Sequence, residues 1–550
     1  MTISRRAWLA ATAVSPLLAC TRPGAAAYTG GWVGANAARG HRLRDLKSGA
    51  LPPPAVLHRA GVIVVGAGIA GLACARALAQ AGIDDVQVLD LEDSAGGNSR
   101  GHRMAGMACP LGAHYLPLPD ERALAVIALL EDLGLRRTGH AKPVYDERHL
   151  CHSPQERLFI DGHWHDGLLP PLEALPAAER GATAEQYRGF GQAVSRAASL
   201  SNGRAFSVPA AQAVWSPELS ALDAAAFAPW LDAQGFEAPA LRWYLDYCCR
   251  DDYGAGAAQV SAWAGLHYFA SRHGFHAPGD GPAERDGVLT WPEGNAWLSQ
   301  RMAAPLAGRV HTGRVALRVT ENRFDASLDV WNDGAQQLER WTAPQVVLAL
   351  PLFIAARLLP AAPPALTQAA TTLRHSPWLV ANLHLDQALD DHPGAPPSWD
   401  NVRYDPERAS PALGYVDAMH QSTRPHPGPT VLTAYWALGG DSAVQLQAQR
   451  QRLLGEPWSA WASAVIQDLA PAHADLASKV RQVDLMRYGH AMALPTPGVR
   501  SSAALLALAR HEGRVRFAHS DLSGYSVFEE ALYQGERAAG QVVGALSRRG

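Results

Sequence analysis

Val62-Ile-Val-Val-Gly66-Ala-Gly68-Ile-Ala-Gly71-Leu-Ala-Cys-Ala-Arg-Ala-Leu-Ala-Gln80 decides the fold. A β-branched apolar run enters a glycine-rich turn, and an alanine- and leucine-rich stretch follows as a helix. Strand, tight turn and helix are the setting that a dinucleotide-binding fingerprint requires. Gly66 permits the turn, Gly68 lets backbone approach a pyrophosphate, and Gly71 lets the helix lie close to the strand. The helix start, including Ala70, turns unpaired N–H groups toward phosphate. A second strand, Val86-Gln-Val-Leu-Asp90, ends in a carboxylate about 20 residues past the glycines, where an acceptor for a ribose 2′-OH belongs.

Working outward, 550 residues are too many for one compact core, so two or more domains are expected. Hydrophobic residues make up 48% and charged residues 18%, which suits a globular protein with ample core. A net charge of −3 gives no sign of nucleic-acid binding, and none is expected. Ser4-Arg5-Arg6-Ala7-Trp8-Leu9 resembles a twin-arginine export signal, and Leu17-Leu-Ala-Cys20 resembles a lipobox. The expectation is a periplasmic lipoprotein, anchored to a bacterial membrane through Cys20 and exported already folded. In that compartment Cys109 and Cys151 have the option of pairing, while Cys248-Cys249 reads as two separate thiols.

Residues 21–55 are rich in Gly, Ala and Pro and read as a flexible tether. Helical patterns, tryptophans and proline-rich turns fill 121–285. Strand patterns return at Arg309–Val319, Ser327–Trp331 and Gln345–Pro351, then at Leu379–Leu385, and the tail from Arg514 reads as strand, loop and helix. Two interleaved domains are expected after an export signal at 1–20. Residues 56–120, 286–351 and 486–548 would bind nucleotide, and 121–285 with 352–485 would build an α+β substrate domain.

In its order of blocks the chain resembles the flavin-containing amine oxidase superfamily, which includes monoamine and polyamine oxidases, protoporphyrinogen oxidase and phytoene desaturases. Gly66, Gly68, Gly71, Asp90, Gly96 and Gly97 match the family's N-terminal block, although Asn98 stands where the family usually has arginine. Leu111-Gly112-Ala113-His114 is similar to the segment that passes beside the flavin, and Val315 lies on a strand similar to the one whose backbone meets adenine. Phe517-Ala-His-Ser-Asp521 is similar to the family's Phe-Ala-Gly-acid segment. The resemblance implies an α/β protein with a Rossmann-like FAD domain, Asp521 on the ribityl chain, and the Phe528-Glu529 helix start aimed at the flavin N1–C2=O edge.

Glu530 replaces a usual glycine, and three further departures bear on chemistry. Ala491 and Val527 stand where monoamine oxidases place a tyrosine pair, His490 corresponds to the cysteine that tethers flavin in some members, and no lysine occurs near Leu373–Leu385. His490 and Tyr525 are the candidate catalytic side chains. Asp161-Gly-His163-Trp-His165-Asp166 has alternating imidazoles but lacks a partner cluster, so no metal is expected. The resemblance thus implies an FAD-dependent oxidoreductase acting at a C–N or C–C bond of a small organic substrate by hydride transfer to flavin N5, with oxygen or a membrane quinone as acceptor, and the N-terminal segment adds the expectation that it is exported. A desaturase- or protoporphyrinogen-oxidase-like enzyme, or a flavin-binding partner without turnover, are the alternatives.

Overall fold

The computed structural model describes residues 28–45, 51–139, 142–272, 274–278, 280, 287–424, 426–440 and 442–548. Arg5, Arg6 and Cys20, on which export and anchoring rest, lie outside the described residues. The chain opens with strand β1 (Thr29–Trp32) and helix α1 (Ala37–Asp45). Strand β2 (Val62–Val65), helix α2 (Ile69–Gln80) and strand β3 (Val86–Leu89) follow. Helices α3 (Pro239–Tyr253) and α4 (Ala262–Ala270) lead to strand β4 (Arg314–Glu321). Strand β5 (Val480–Ala493) and helix α5 (Phe528–Ser547) complete the set that positions the site.

All four residues of β2 are buried, because the strand is central in a parallel sheet covered on both faces. The sheet runs in the order Val310–His311, β3, β2, Gln345–Leu348, Val515–Phe517. α2 and α5 pack together, and both contribute to the apolar cluster beneath Val62 and Val64. A Cβ on Gly535 of α5 would come within 2.2 Å of the Ala70 carbonyl of α2, so only glycine fits at that crossing. β4 begins an antiparallel meander with Ala326–Asn332 and Gln337–Ala343, edged by Val56–Arg59. The expected strands and C-terminal helix are all present.

An eight-stranded mixed sheet forms the second domain, in the order β1, β5, His375–Leu385, Thr430–Ala437, Ala412–Asp417, Asp400–Arg403, Glu156–Ile160, His163–Asp166. Side chains of its strands alternate between two cores. Trp378 and Val380 face the cluster built by α3 and α4, whereas Leu379, Ala381 and Leu383 face a cluster with Trp461 and Val465.

Two expectations change. Residues 28–45, inside the expected tether, are folded: β1 pairs in parallel with Gln482–Leu485 of β5, and α1 is anchored by a buried Leu43. The boundary expected at 485/486 falls inside β5, which runs unbroken from the sheet into the nucleotide side. The five described cysteines are free thiols. Among the described residues, no helix is long and apolar enough to cross a membrane.

Candidate active site

The glycine turn is built as a cradle. Gly66 has φ +103°, and a Cβ there would meet the Ala349 carbonyl at 2.4 Å. A Cβ on Gly71 would lie 1.8 Å from the Gly66 carbonyl, so the helix can approach the turn only as glycine. Gly68 is extended and caps α2 without a side chain, which leaves the first-turn N–H groups, Ala70 among them, without an acceptor. Gly97, at φ +59°, faces Gly68, and the Gly96 N–H binds the Ala67 carbonyl at 2.8 Å. Two bare glycine turns and an uncapped helix start fit a pyrophosphate.

Asp90 is used differently from expectation. Its Oδ2 accepts the Ala67 N–H at 2.6 Å and its Oδ1 the Glu92 N–H at 2.7 Å. Burial nonetheless raises its pKa. The carboxylate therefore braces the glycine turn rather than standing open to a ribose. Asn98 is exposed, and its Nδ2 donates to the Ala491 carbonyl at 2.8 Å. The reading from sequence overlooked Arg100. Its buried guanidinium donates to the Gly97 carbonyl at 3.0 Å and lies 3.6 Å from Glu92, so a positive charge stands beside the turn that Asn98 leaves neutral. An arginine two residues beyond the changed position was the available signal.

The Gly112 carbonyl accepts the Tyr435 hydroxyl at 3.0 Å, and the Leu111 carbonyl accepts the Tyr488 hydroxyl at 2.8 Å. A Cβ on Gly112 would meet the Asn98 carbonyl at 2.2 Å, and the Ala113 N–H donates to that same carbonyl. These bonds bring the Gly112–His114 segment against the Gly-Gly turn. His114 stacks on Tyr435 at 4.3 Å and lies 5.5 Å from Trp399, with burial pushing its pKa down to about 3, so it is neutral. Val315 is buried on β4 opposite Trp331.

At the far end, α5 starts at Phe528 with Val527 as an N-cap that offers no side-chain bond, so the Phe528 and Glu529 N–H groups are unpaired by the helix. Asp521 does not reach outward as expected. It is fully buried, its Oδ2 accepts the Leu352 N–H at 2.8 Å and its Oδ1 lies 3.0 Å from His375 and 3.2 Å from His519. Burial opposes its charge, but the two histidines outweigh that and hold the carboxyl well below the usual range. Tyr525 is likewise corrected. It is fully buried and donates to Glu530 Oε1 at 2.6 Å, which also accepts the Ala210 N–H at 2.6 Å. Tyr525 therefore pins α5 to the helical lobe instead of facing substrate. His490 is exposed, 4.6 Å from Phe353 and 6.2 Å from His375, in a cluster separate from Tyr525.

The largest feature missed from sequence is an acidic, tyrosine-lined cluster behind Tyr115. Tyr244, Cys248 and Asp251 recur at helical spacing along α3 and share one face. Glu156 and Asp400 are register partners on adjacent strands. Tyr115 hydrogen-bonds Asp251, and its ring lies 5.1 Å from His114 and 6.0 Å from Trp399. Burial, then the neighbouring Asp252, pushes Asp251 up to about 7. Burial, then Asp251 and Glu156, raises Asp400 well above the carboxylate range. Arg272 balances Asp252 at 2.9 Å. Asp251, Asp400, Glu156, Tyr115, Tyr244 and Tyr268 all keep part of their surface accessible. The helix-face spacing of Tyr244 and Asp251 was legible; the convergence with Asp400, 149 positions on, was not.

A model of the family described as flavin containing amine oxidoreductase matches residues 69–543. Polyamine oxidase 7 of Oryza sativa subsp. japonica is 38% identical over 58 residues, 10% of this chain and 12% of that protein, so the match spans a small part of the relative's length. Among solved structures, wild-type putrescine oxidase bound to putrescine superposes with a TM-score of 0.62 at 18% identity, over 89% of this chain and 100% of that one. Cyclohexylamine oxidase from Brevibacterium oxydans IH-35A does so with a TM-score of 0.62 at 19% identity and the same coverage. At these identities the likeness is one of fold.

Proposed function

The chain belongs to the flavin containing amine oxidoreductase family and is an FAD-dependent oxidoreductase, and from that premise we propose that it oxidises a small amine carrying a second cationic group, with dioxygen as electron acceptor. The observation that carries this reading is the carboxyl cluster of Asp251, Asp400 and Glu156 behind the aromatic wall of Tyr115, His114 and Trp399. Ionising such close acids together is unfavourable, and a cationic substrate group beside them favours the ionised forms of Asp251 and Asp400. Aromatic faces favour a cation in transit. A porphyrinogen or a polyene has no matching charge.

In this reading the cofactor's pyrophosphate is held by the Gly66–Gly71 turn and Gly97, with Asn98 as a neutral contact. Gly112, Ala113 and His114 lie along the flavin, the Val315 backbone serves adenine, and the Phe528 and Glu529 N–H groups stabilise negative charge at the flavin N1–C2=O edge. When bound, FAD would supply a two-electron acceptor for oxidation of the amine to an imine at the carbon next to nitrogen, with dioxygen taking up the two electrons and two protons as hydrogen peroxide. His114 is kept neutral by its burial, so it adds no competing positive charge beside the substrate path. Arg5-Arg6 and Leu17–Cys20 support export of the loaded enzyme and its lipid anchoring outside the cytoplasm.

Anaerobic mixing with a substrate panel tests the assignment. Diamines and polyamines should bleach the flavin absorbance, with monoamines slower. Bleaching by porphyrinogens or polyenes alone would replace the reading by a desaturase-like one, and bleaching by nothing would favour a flavin-binding partner without turnover.

A further inference from the structure

The family's matched segment begins at residue 69, yet residues 28–45 are folded across both domains. β1 adds to the edge of the substrate sheet, and the Val33 N–H continues that ladder to the Leu485 carbonyl at 2.9 Å. The chain then crosses to the nucleotide side. The Ala35 N–H reaches Met486 Sδ at 3.2 Å, and Arg100, which also binds the Gly97 carbonyl, donates to the Gly34 carbonyl at 3.4 Å. The Asn36 N–H donates to Glu92 Oε2 at 3.2 Å, and Asn36 Oδ1 caps α1 through the Arg39 N–H at 2.9 Å.

Arg39 is the centre of this crossing. It is buried, and its guanidinium donates to the Leu91 carbonyl at 2.9 Å, to Asp93 at 2.8 Å and to Asp333 at 3.0 Å. One side chain thus joins the loop after β3 to the meander turn. Arg42 lies over the Trp331 ring at 5.0 Å, and Trp331 is the register partner of Val315. Leu43 packs in the same core as Leu89 and Val315. The loop and β4 are stitched underneath, since the Gly313 N–H binds the Glu92 carbonyl and the Arg314 N–H the Asp90 carbonyl. The bonds of Asn36 and Arg39 fall on the loop after β3 and on the β4 meander, the strand of Val315, and Arg100 ties Gly34 to the Gly-Gly turn, so the segment flanks the glycine cradle and the strand read as adenine-facing.

We propose that residues 33–44 are a strap that closes the adenosine end of the FAD site, with Arg39 as the positioning residue that holds it down. The inference rests on FAD binding and is independent of the substrate. A strap that tightens FAD binding must in turn be held by FAD, because the coupling free energy between two binding events is reciprocal. The basic residues Arg39, Arg42 and Arg44 make its undocking readable by trypsin.

The test uses the purified holoenzyme. FAD release is followed by the rise of flavin fluorescence after dilution, for wild type, Arg39→Ala and Arg39→Lys. Arg39→Ala should release FAD about tenfold faster, as expected for losing charge-assisted bonds. Arg39→Lys should fall between it and wild type, because it keeps the charge without the fork. Added FAD should slow tryptic cleavage within residues 33–44 of wild-type apoprotein and lose that effect in Arg39→Ala. Circular dichroism of each variant shows whether it folds; if Arg39→Ala does not, the protection of the wild-type strap decides alone. Equal release rates, or cleavage of the strap indifferent to FAD, overturn the proposal. A wild-type protein that never retains FAD would instead remove the cofactor assignment beneath it.

Discussion

At Gly68 a side chain has room but not for any charge. The nearest heavy atom to a Cβ there is Gly97 Cα at 3.8 Å, so Gly68→Asp should fold and yet lose FAD, its carboxylate meeting the pyrophosphate. A yellow Gly68→Asp protein with full flavin content would refute this placement. Asp251 tests the pocket. Because burial and Asp252 hold its pKa up near 7, it is charged only at and above neutral pH. KM for a diamine should rise as pH falls through 7, and Asp251→Asn should raise KM about tenfold at pH 8 and flatten that profile. A monoamine should be affected far less; equal effects on both would remove Asp251 from cation binding. The same raised pKa means that the native state binds a proton that the unfolded chain gives up between about pH 4 and pH 7. Stability therefore declines across that window as pH rises, and Asp251→Asn should remove the decline. Glycine positions were readable from sequence because backbone geometry leaves few substitutes. Asp90 and Asp521 were misread because an acid at the right spacing serves equally as a brace for N–H groups or neighbouring histidines.

Among elements, the contact of α2 with α5 does most to assemble the cofactor site. The two helices come from opposite ends of the chain, and both present uncapped N-termini. Their spacing depends on Gly535, where an added Cβ would meet the Ala70 carbonyl at 2.2 Å and the Ala73 Cβ at 2.8 Å. Gly535→Ala must push α5 outward, at a cost of about 1–3 kcal/mol from overpacking, and carry its N–H groups away from the flavin edge. The melting temperature should drop and FAD affinity should fall together, checked by thermal denaturation with and without added FAD. A Gly535→Ala protein with unchanged melting temperature and affinity would show that the crossing adjusts freely. Strand and helix identities here were plain from periodicity. β5 was not, since its polar stretch Arg487–His490 hides the continuity of a 14-residue strand that pairs with β1 on one side and with His375–Leu385 on the other.

For the molecule as a whole, the strap at residues 33–44 follows, after residues 21–32, the segment read as an export signal, so the order of events matters. Twin-arginine export carries folded proteins. If FAD and the strap stabilise one another, a loaded enzyme has residues 28–45 tied to both domains. Replacing Arg5 and Arg6 with lysine should leave full-length, FAD-containing precursor in the cytoplasm, because cofactor binding does not depend on the leader. Fractionation with a flavin assay of each fraction measures this directly, and unchanged export of the double-lysine variant would remove the twin-arginine reading. In the wild-type leader background, Arg39→Ala should slow export in proportion to its loss of FAD and recover when flavin is supplied in excess. That recovery would separate a cofactor-linked strap from a merely structural defect, because added flavin favours a state that binds it and offers nothing to a misfolded chain.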